Sequence, residues 1–224
     1  MAVNLPARRF AVADGMGGYG FDKLGTGFFA QYLASYAAKF GIDPLLDSEK
    51  AAEIFRSAET VFAEFYSRFF DSPPAFIRGS KFGKVGSTLT YVEFKAGSVM
   101  RIVCIGDSPA FLLGEPNIQY GEDSQVGSVD MPIANFFGVS LDGRPVVPQK
   151  GIDKFGRKLV DCDVQYNPGE LVALGTDYFS ESDPKSFLGL DAHNFGQRVE
   201  ASGKVDDASL IVINPKALYG RSET

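Results

Sequence analysis

The sequence predicts an α+β protein in which helices and sheets stack in layers, and three observations carry the prediction. A single strand-like run opens the chain, two long helical patterns follow it with no strand between them, and the later apolar runs alternate with period two. A strand followed by two helices and then many strands cannot be assembled from regular βαβ units, where each helix returns to a parallel strand.

Composition bounds the answer before any motif is read. With 224 residues and no stretch resembling a linker, one domain spanning residues 1–224 is expected. The apolar share of 45% and charged share of 22% are those of an ordinary soluble globular chain. A net charge of -6 argues against a nucleic-acid backbone or an anionic membrane as the main partner, which leaves small molecules, proteins and cations. The opening MAVNLPARRF lacks the apolar core of a secretory signal, and no run approaches the roughly 18 apolar residues of a membrane span. Cys104 and Cys162 each sit inside an apolar, β-like run and read as small buried hydrophobes, not as a disulfide framework. A reducing, cytoplasmic setting and a monomer are expected.

Taken in order, Phe10 to Ala13 form a strand that delivers Asp14 to the Gly-rich turn of ADGMGGYG. From 21 to 41, Phe28, Phe29, Tyr32, Leu33, Tyr36, Ala37 and Phe40 recur at helical spacing, and Gly41 ends the pattern. Asp47 or Ser48 caps a second helix with Ile54, Phe55, Ala58, Val61, Phe62, Phe65 and Phe69 on one face, stopped by Pro73 and Pro74. Both stripes read as core packing. From Gly86 the period changes to two, and TLTYVEF, SVMRIVCIG and PAFLLGE predict three consecutive strands, the first two joined as an antiparallel meander by the AGS turn. Residues 114–157, rich in Gly, Pro, Asp and Ser, predict a long surface excursion. Strands resume at KLVDCDVQY and GELVALGTD, a short helix covers Asp191 to Ala201, and SLIVIN closes the fold.

Aspartates stand at one end of four of these strands: Asp14 after FAVA, Asp107 after IVCIG, Asp177 after LVALGT, and the pair Asp206 and Asp207 before ASLIVI. Aspartate is disfavoured within strands and common in turns, so one alone reads as a turn residue. Four gathered at one rim would make a carboxylate cluster whose mutual repulsion calls for cations. One histidine, His193, in a polar helix start, and two cysteines buried in strands cannot build a usual zinc site, whereas hard oxygen donors suit Mg²⁺ or Mn²⁺. No serine sits in a nucleophile elbow to make a triad with His193.

Gly15, Gly17 and Gly20 also match the G-x-G-x-x-G of a dinucleotide-binding turn. The context opposes it: the helix that follows leads into another helix, and Asp14 would face a pyrophosphate with like charge.

FAVADGMGG at 10–18, GSTLTYV at 86–92, CIGDSPAFLL at 104–113, LGTD at 174–177 and DDASLIVI at 206–213 together resemble the bacterial-style, protein phosphatase 2C-like (PPM) family of metal-dependent protein phosphatases. The resemblance runs in family order over about residues 9–213. It implies a four-layer α-β-β-α sandwich around two central antiparallel sheets, with a two-cation Mn²⁺ or Mg²⁺ centre at one rim. Asp14 would bridge the cations, the Gly15 carbonyl would ligate one, Asp177 and Asp206 the other, and Asp107 would serve a further, weaker site. The implied activity is hydrolysis of phosphoserine or phosphothreonine in a protein substrate by a water that the cations acidify, with Asp14, Asp177 and Asp206 acting through it.

The pattern departs from the family in three places. The upstream Arg-x-x-Asn-Glu-Asp type motif has no counterpart in the 13 residues before Asp14, none of which is acidic. Tyr178 stands where glycine is usual, and Pro109 where arginine is common. A strand rise of about 3.3 Å per residue keeps Arg8 roughly 20 Å from Asp14, so it cannot replace the missing arginine. Glu122 and Asp123 are the only other acidic pair at hand and read as a solvated loop. The alternative function is therefore an inactive pseudophosphatase, a binding or regulatory module for a partner protein.

Overall fold

The computed structural model describes residues 1–16, 23–69, 84–121, 136–140, 144–148, 159–179, 182–203 and 208–219. It is a mixed helix and sheet structure with several antiparallel sheets, as the element order predicts. A first strand that the sequence pattern did not reveal, β1 (Ala2–Asn4), pairs antiparallel with β2 (Arg9–Val12), Val3 lying opposite Phe10. Helix α1 (Lys23–Phe40) ends at Gly41, whose φ of +88° and N–H bond to the Ala37 carbonyl at 2.9 Å close it. After the short α2 (Asp43–Leu46), also missed, α3 (Ser48–Phe69) is capped by Asp47, which accepts from the N–H groups of Glu49 and Lys50 at 3.1 Å each.

The strands that follow are β3 (Val85–Ser87), β4 (Leu89–Lys95), β5 (Val99–Ile105), β6 (Ala110–Leu113), β7 (Ile118–Tyr120), β8 (Phe137–Val139), β9 (Pro145–Val146), β10 (Val160–Gln165), β11 (Leu171–Gly175) and β12 (Leu210–Ile213). Helix α4 (Ala192–Ala201) lies between the last two, and α5 (Pro215–Leu218) follows β12. They make a five-stranded sheet β1-β2-β4-β5-β10, a four-stranded sheet β12-β11-β6-β7 and a three-stranded sheet β3-β8-β9.

The antiparallel pairing expected across the AGS turn is present between β4 and β5, while β6, the third strand of that run, leaves for the four-stranded sheet and pairs with β11 and β7. Its Gly-Asp-Ser-Pro connection reads equally well as a hairpin turn or as a crossing between sheets. In addition, the stretch 114–157 is not only a surface excursion, because it contributes β7, β8 and β9, and Phe137 of β8 is fully buried. Pro73, Pro74, Glu122, Asp123, Asp206 and Asp207 lie outside the described residues.

Strict alternation in the five-stranded sheet feeds two cores. Ala11, Leu89, Tyr91, Val103 and Ile105 face α1 and α3, meeting Phe29, Leu33, Ala37, Phe55, Ala58 and Phe62. Their neighbours Phe10, Val12, Val92, Met100, Ile102 and Cys104 face the four-stranded sheet and pack on Ala110, Leu112, Val172, Leu174 and Ile213. A third cluster joins the far side of that sheet, through Phe111, Leu113 and Ala173, to Tyr178, Phe179, Phe187 and the partly buried Phe195 and Val199 of α4. The helical stripes are thus core, with exceptions: Phe40, Val61 and Phe65 stay exposed, and Tyr66 is buried instead. Among the described residues no helix is long and apolar enough to cross a membrane.

The two cysteines differ. Both are free thiols, but only Cys104 is buried, and Cys162 is half-buried on the edge strand β10. Burial pushes the Cys104 thiol up to about 12, and its Sγ donates to the Tyr120 carbonyl at 3.6 Å. At pH 8 a disulfide reagent is expected to modify Cys162 in the native protein and Cys104 only after denaturation. Mass spectrometry of the native-labelled chain checks this; equal labelling of both would contradict the packing described.

Candidate metal centre

Register sets the strand ends that bear the aspartates at one end of each sheet. Val12, at the end of β2, lies opposite Thr90 near the start of β4, and Leu89 opposite Ile105 at the end of β5. In the four-stranded sheet Leu174, near the end of β11, lies opposite Ala110 at the start of β6, and Gly175 opposite Leu210 at the start of β12. Asp14, Asp107 and Asp177 therefore emerge at corresponding ends of their strands, as does the segment that enters β12. Asp107 is buried, while Asp14 and Asp177 are half-buried.

Hydrogen bonds stitch these ends across the boundaries between sheets. The Asp14 carbonyl accepts from the Thr88 N–H at 2.9 Å and from Ser87 Oγ at 2.9 Å, and the Asp14 N–H donates to Thr88 Oγ1 at 3.3 Å. Thr88 Oγ1 in turn lies 2.6 Å from Ser108 Oγ, and Thr90 Oγ1 donates to the Ser108 carbonyl. Gly106, with φ of +85°, turns the chain out of β5 and sets Asp107 beside that serine. The Gly175 N–H then donates to the Pro109 carbonyl at 3.0 Å, and Thr176 exchanges two 3.1 Å bonds with Ser209.

Gly15 holds a special place in this weave. It forms an isolated antiparallel bridge with Ser87, closed by Thr88 N–H to the Asp14 carbonyl and Met16 N–H to the Gly86 carbonyl, each 2.9 Å. In such a non-hydrogen-bonded pair the residue's own carbonyl points away from its partner and stays out of that ladder. The Gly15 carbonyl is thus oriented off β3. A Cβ on Gly15 would fall 2.7 Å from Thr26 Cγ2 and 3.1 Å from the Thr26 carbonyl, so the first turn of α1 rests directly on this backbone.

The donors assembled are carboxylate, carbonyl and hydroxyl oxygens. His193 is exposed on α4, 3.0 Å from Gln197 Nε2, and Cys104 donates away to a carbonyl. In kind, this set fits a hard divalent cation and does not fit zinc. Among the described residues no three His, Cys, Asp or Glu side chains form a metal-holding group, and Asp206 lies outside those residues. Tyr178 does not stand over the strand ends: its buried ring packs edge-on against Phe179 and Phe187, with centroids 5.0 and 6.2 Å away. Sequence reading missed the hydroxyls. Their signal was available, because a serine or threonine adjoins Asp107 and Asp177 and another lies in GST at 86–88.

No family model matches the sequence, and no curated protein matches it. Among solved structures, the catalytic domain of the serine/threonine protein phosphatase PstP, in complex with two manganese ions, is similar at TM-score 0.50 and 21% identity, with 92% of this chain and 86% of that one covered. The chain carries the fold of the PPM serine/threonine phosphatases. A second structure of that phosphatase, PstP/Ppp of Mycobacterium tuberculosis, is 19% identical at TM-score 0.48 over 92% of this chain and 87% of its own. The PPM phosphatase MsPP of Mycobacterium smegmatis, in complex with cacodylate, is 19% identical at TM-score 0.46 over 92% and 88%.

Because Gly15 meets the backbone of α1, Gly15→Ala in this phosphatase fold is expected to cost about 1–3 kcal/mol, the usual penalty of an overpacked site. Adding Thr26→Ser removes the methyl at 2.7 Å and should recover part of the loss. Urea denaturation of the single and double variants checks both; a neutral Gly15→Ala would contradict the contact.

Proposed function

We propose that this chain is a metal-dependent phosphoserine/phosphothreonine protein phosphatase, a single domain over residues 1–224 whose layers stack α-β-β-α. The observation that supports it is the position of Asp14, Asp107 and Asp177 at corresponding ends of their strands, in the order of the PPM family, within a fold of that kind. The three packed clusters, helix to sheet, sheet to sheet and sheet to helix, support the layer order.

Electrostatics gives the reason for cations. Carboxylates gathered at one rim of a chain of net charge -6 would repel a phosphate dianion unless divalent ions reversed the local field. Mn²⁺ or Mg²⁺, when bound, would neutralise phosphoryl oxygens and acidify a water. The chain's own part is to hold and position: Asp14 with the Gly15 carbonyl on one side, Asp177 and Asp206 on the other, and Asp107 beside them. The partner is a phosphoprotein, with neither nucleic acid nor membrane involved, and a monomeric, cytoplasmic protein suits that role.

One observation favours the second reading, a binding module that turns nothing over. The arginines that precede Asp14 are engaged in the fold: Arg9 Nε donates to Glu93 at 2.8 Å, and the Arg8 guanidinium lies 4.0 Å from the Tyr219 ring centroid. Neither is placed to grip a substrate phosphate.

The purified chain is expected to hydrolyse a phosphothreonine peptide only with Mn²⁺ or Mg²⁺ present. Asp14→Asn should cost more than the about 10–100-fold typical of losing a hydrogen bond that supports a ligand. Hydrolysis that is absent, or equal in the variant, would overturn the phosphatase reading. Calorimetric titration with Mn²⁺ separates the alternatives: two tight sites argue against the binding module, and one weak site or none argues for it.

A further inference from the structure

Thr88 and Ser108 are buried to 2% and 0% exposure, at the junction between the Asp14 turn and the Asp107 turn. Thr88 grips Asp14 from both sides, since its N–H donates to the Asp14 carbonyl at 2.9 Å and its Oγ1 accepts the Asp14 N–H at 3.3 Å. The same Oγ1 lies 2.6 Å from Ser108 Oγ. Ser108 is held from its other side by Thr90, itself fully buried, through the Ser108 carbonyl. One hydroxyl thus bonds to the backbone of the first aspartate and to the side chain that follows the second.

Packing alone does not call for these hydroxyls. Valine has the shape of threonine and the same preference for extended backbone, and a buried hydroxyl costs free energy unless it is bonded. The main-chain bond from Thr88 to Asp14 would survive such a replacement. Only the side-chain link across to Ser108 requires oxygen at both positions.

Building on the metal-centre reading above, we propose that Thr88 and Ser108 are a positioning pair that couples the Asp14 and Asp107 turns, so that cation affinity at Asp14 depends on a serine beside a different aspartate. Supporting hydrogen bonds of this kind fix the orientation of ligands and change metal affinity without reaching the ion.

The test uses Ser108→Ala, Thr88→Val, Thr88→Ser and the double variant Thr88→Val/Ser108→Ala of the whole chain. Mn²⁺ titration by calorimetry is expected to show affinity lowered about tenfold in Ser108→Ala and Thr88→Val and kept within about threefold in Thr88→Ser. The double variant leaves no buried hydroxyl orphaned and gives up only the 3.3 Å acceptor of the Asp14 N–H, so its melting temperature should return part of the way toward that of the unmodified chain while its Mn²⁺ affinity stays low. Affinity that recovers together with stability would assign the pair to folding alone and overturn the proposal, as would unchanged affinity in the single variants. Amide hydrogen exchange without metal gives an independent readout: Ser108→Ala should speed exchange at the Asp14 N–H several-fold, and an unchanged rate overturns the coupling. If the unmodified chain takes up no Mn²⁺, the metal-centre reading fails, and the exchange result still decides the coupling.

Discussion

The five-stranded sheet is covered on both faces, so a charged side chain within it has to be paired. Ala11, Tyr91 and Val103 turn to the helices, while Phe10, Val92 and Ile102 turn to the second sheet, so no interior position of β2, β4 or β5 can take a charge without partners. Where charge does enter the helix-side face, it lies away from Asp14 and is paired. Arg9 bonds Glu93 at 2.8 Å, and Arg101 Nε meets Asp161 at 2.7 Å while Nη1 reaches Asp43 at 2.9 Å. At the other end the acidic residues are held by main-chain and hydroxyl bonds. The same double burial pairs the carboxylates that lie within the strands and leaves Asp14 and Asp107 at the strand ends.

That end is a junction of separate sheets, and its geometry depends on bonds that no single sheet supplies. Ser87 belongs to β3, in the three-stranded sheet, yet bridges Gly15 and donates to the Asp14 carbonyl. Pro109, leading into the four-stranded sheet, accepts from Gly175. Each crossing uses a short polar side chain or a main-chain carbonyl. The close approach of Thr26 to Gly15 shows how little space remains, because even a methyl there would meet helix backbone.

Much of this was legible in residue order. Alternation or continuous apolar runs identified β4, β5, β6, β10, β11 and β12, helical spacing identified α1 and α3, and acids at strand ends pointed to one rim. What escaped notice carries no periodic signal. β1 is three residues long, too short for alternation to register, and α2 is a single turn opened by a proline at its second position. Where β6 pairs depends on which sheet is nearest in space, and the turn 106–109 encodes a change of direction without a destination. Phe65 and Val61 follow the stripe of α3 yet stay exposed, since sequence spacing defines a face without telling how much of it a neighbour covers.

The two sides of this strand-end junction are secured by different physics. Asp14 and Asp107 are tied by hydrogen bonds among buried hydroxyls and main chain, whereas Asp177 opens a 3-10 turn, Asp177–Phe179, rooted in the aromatic cluster of Tyr178, Phe179 and Phe187. Apolar burial weakens on cooling, while hydrogen bonding does not share that loss. The Asp177 side keeps its hydrogen bonds from Gly175 to Pro109 and between Thr176 and Ser209, but its aromatic root is the part that cooling weakens.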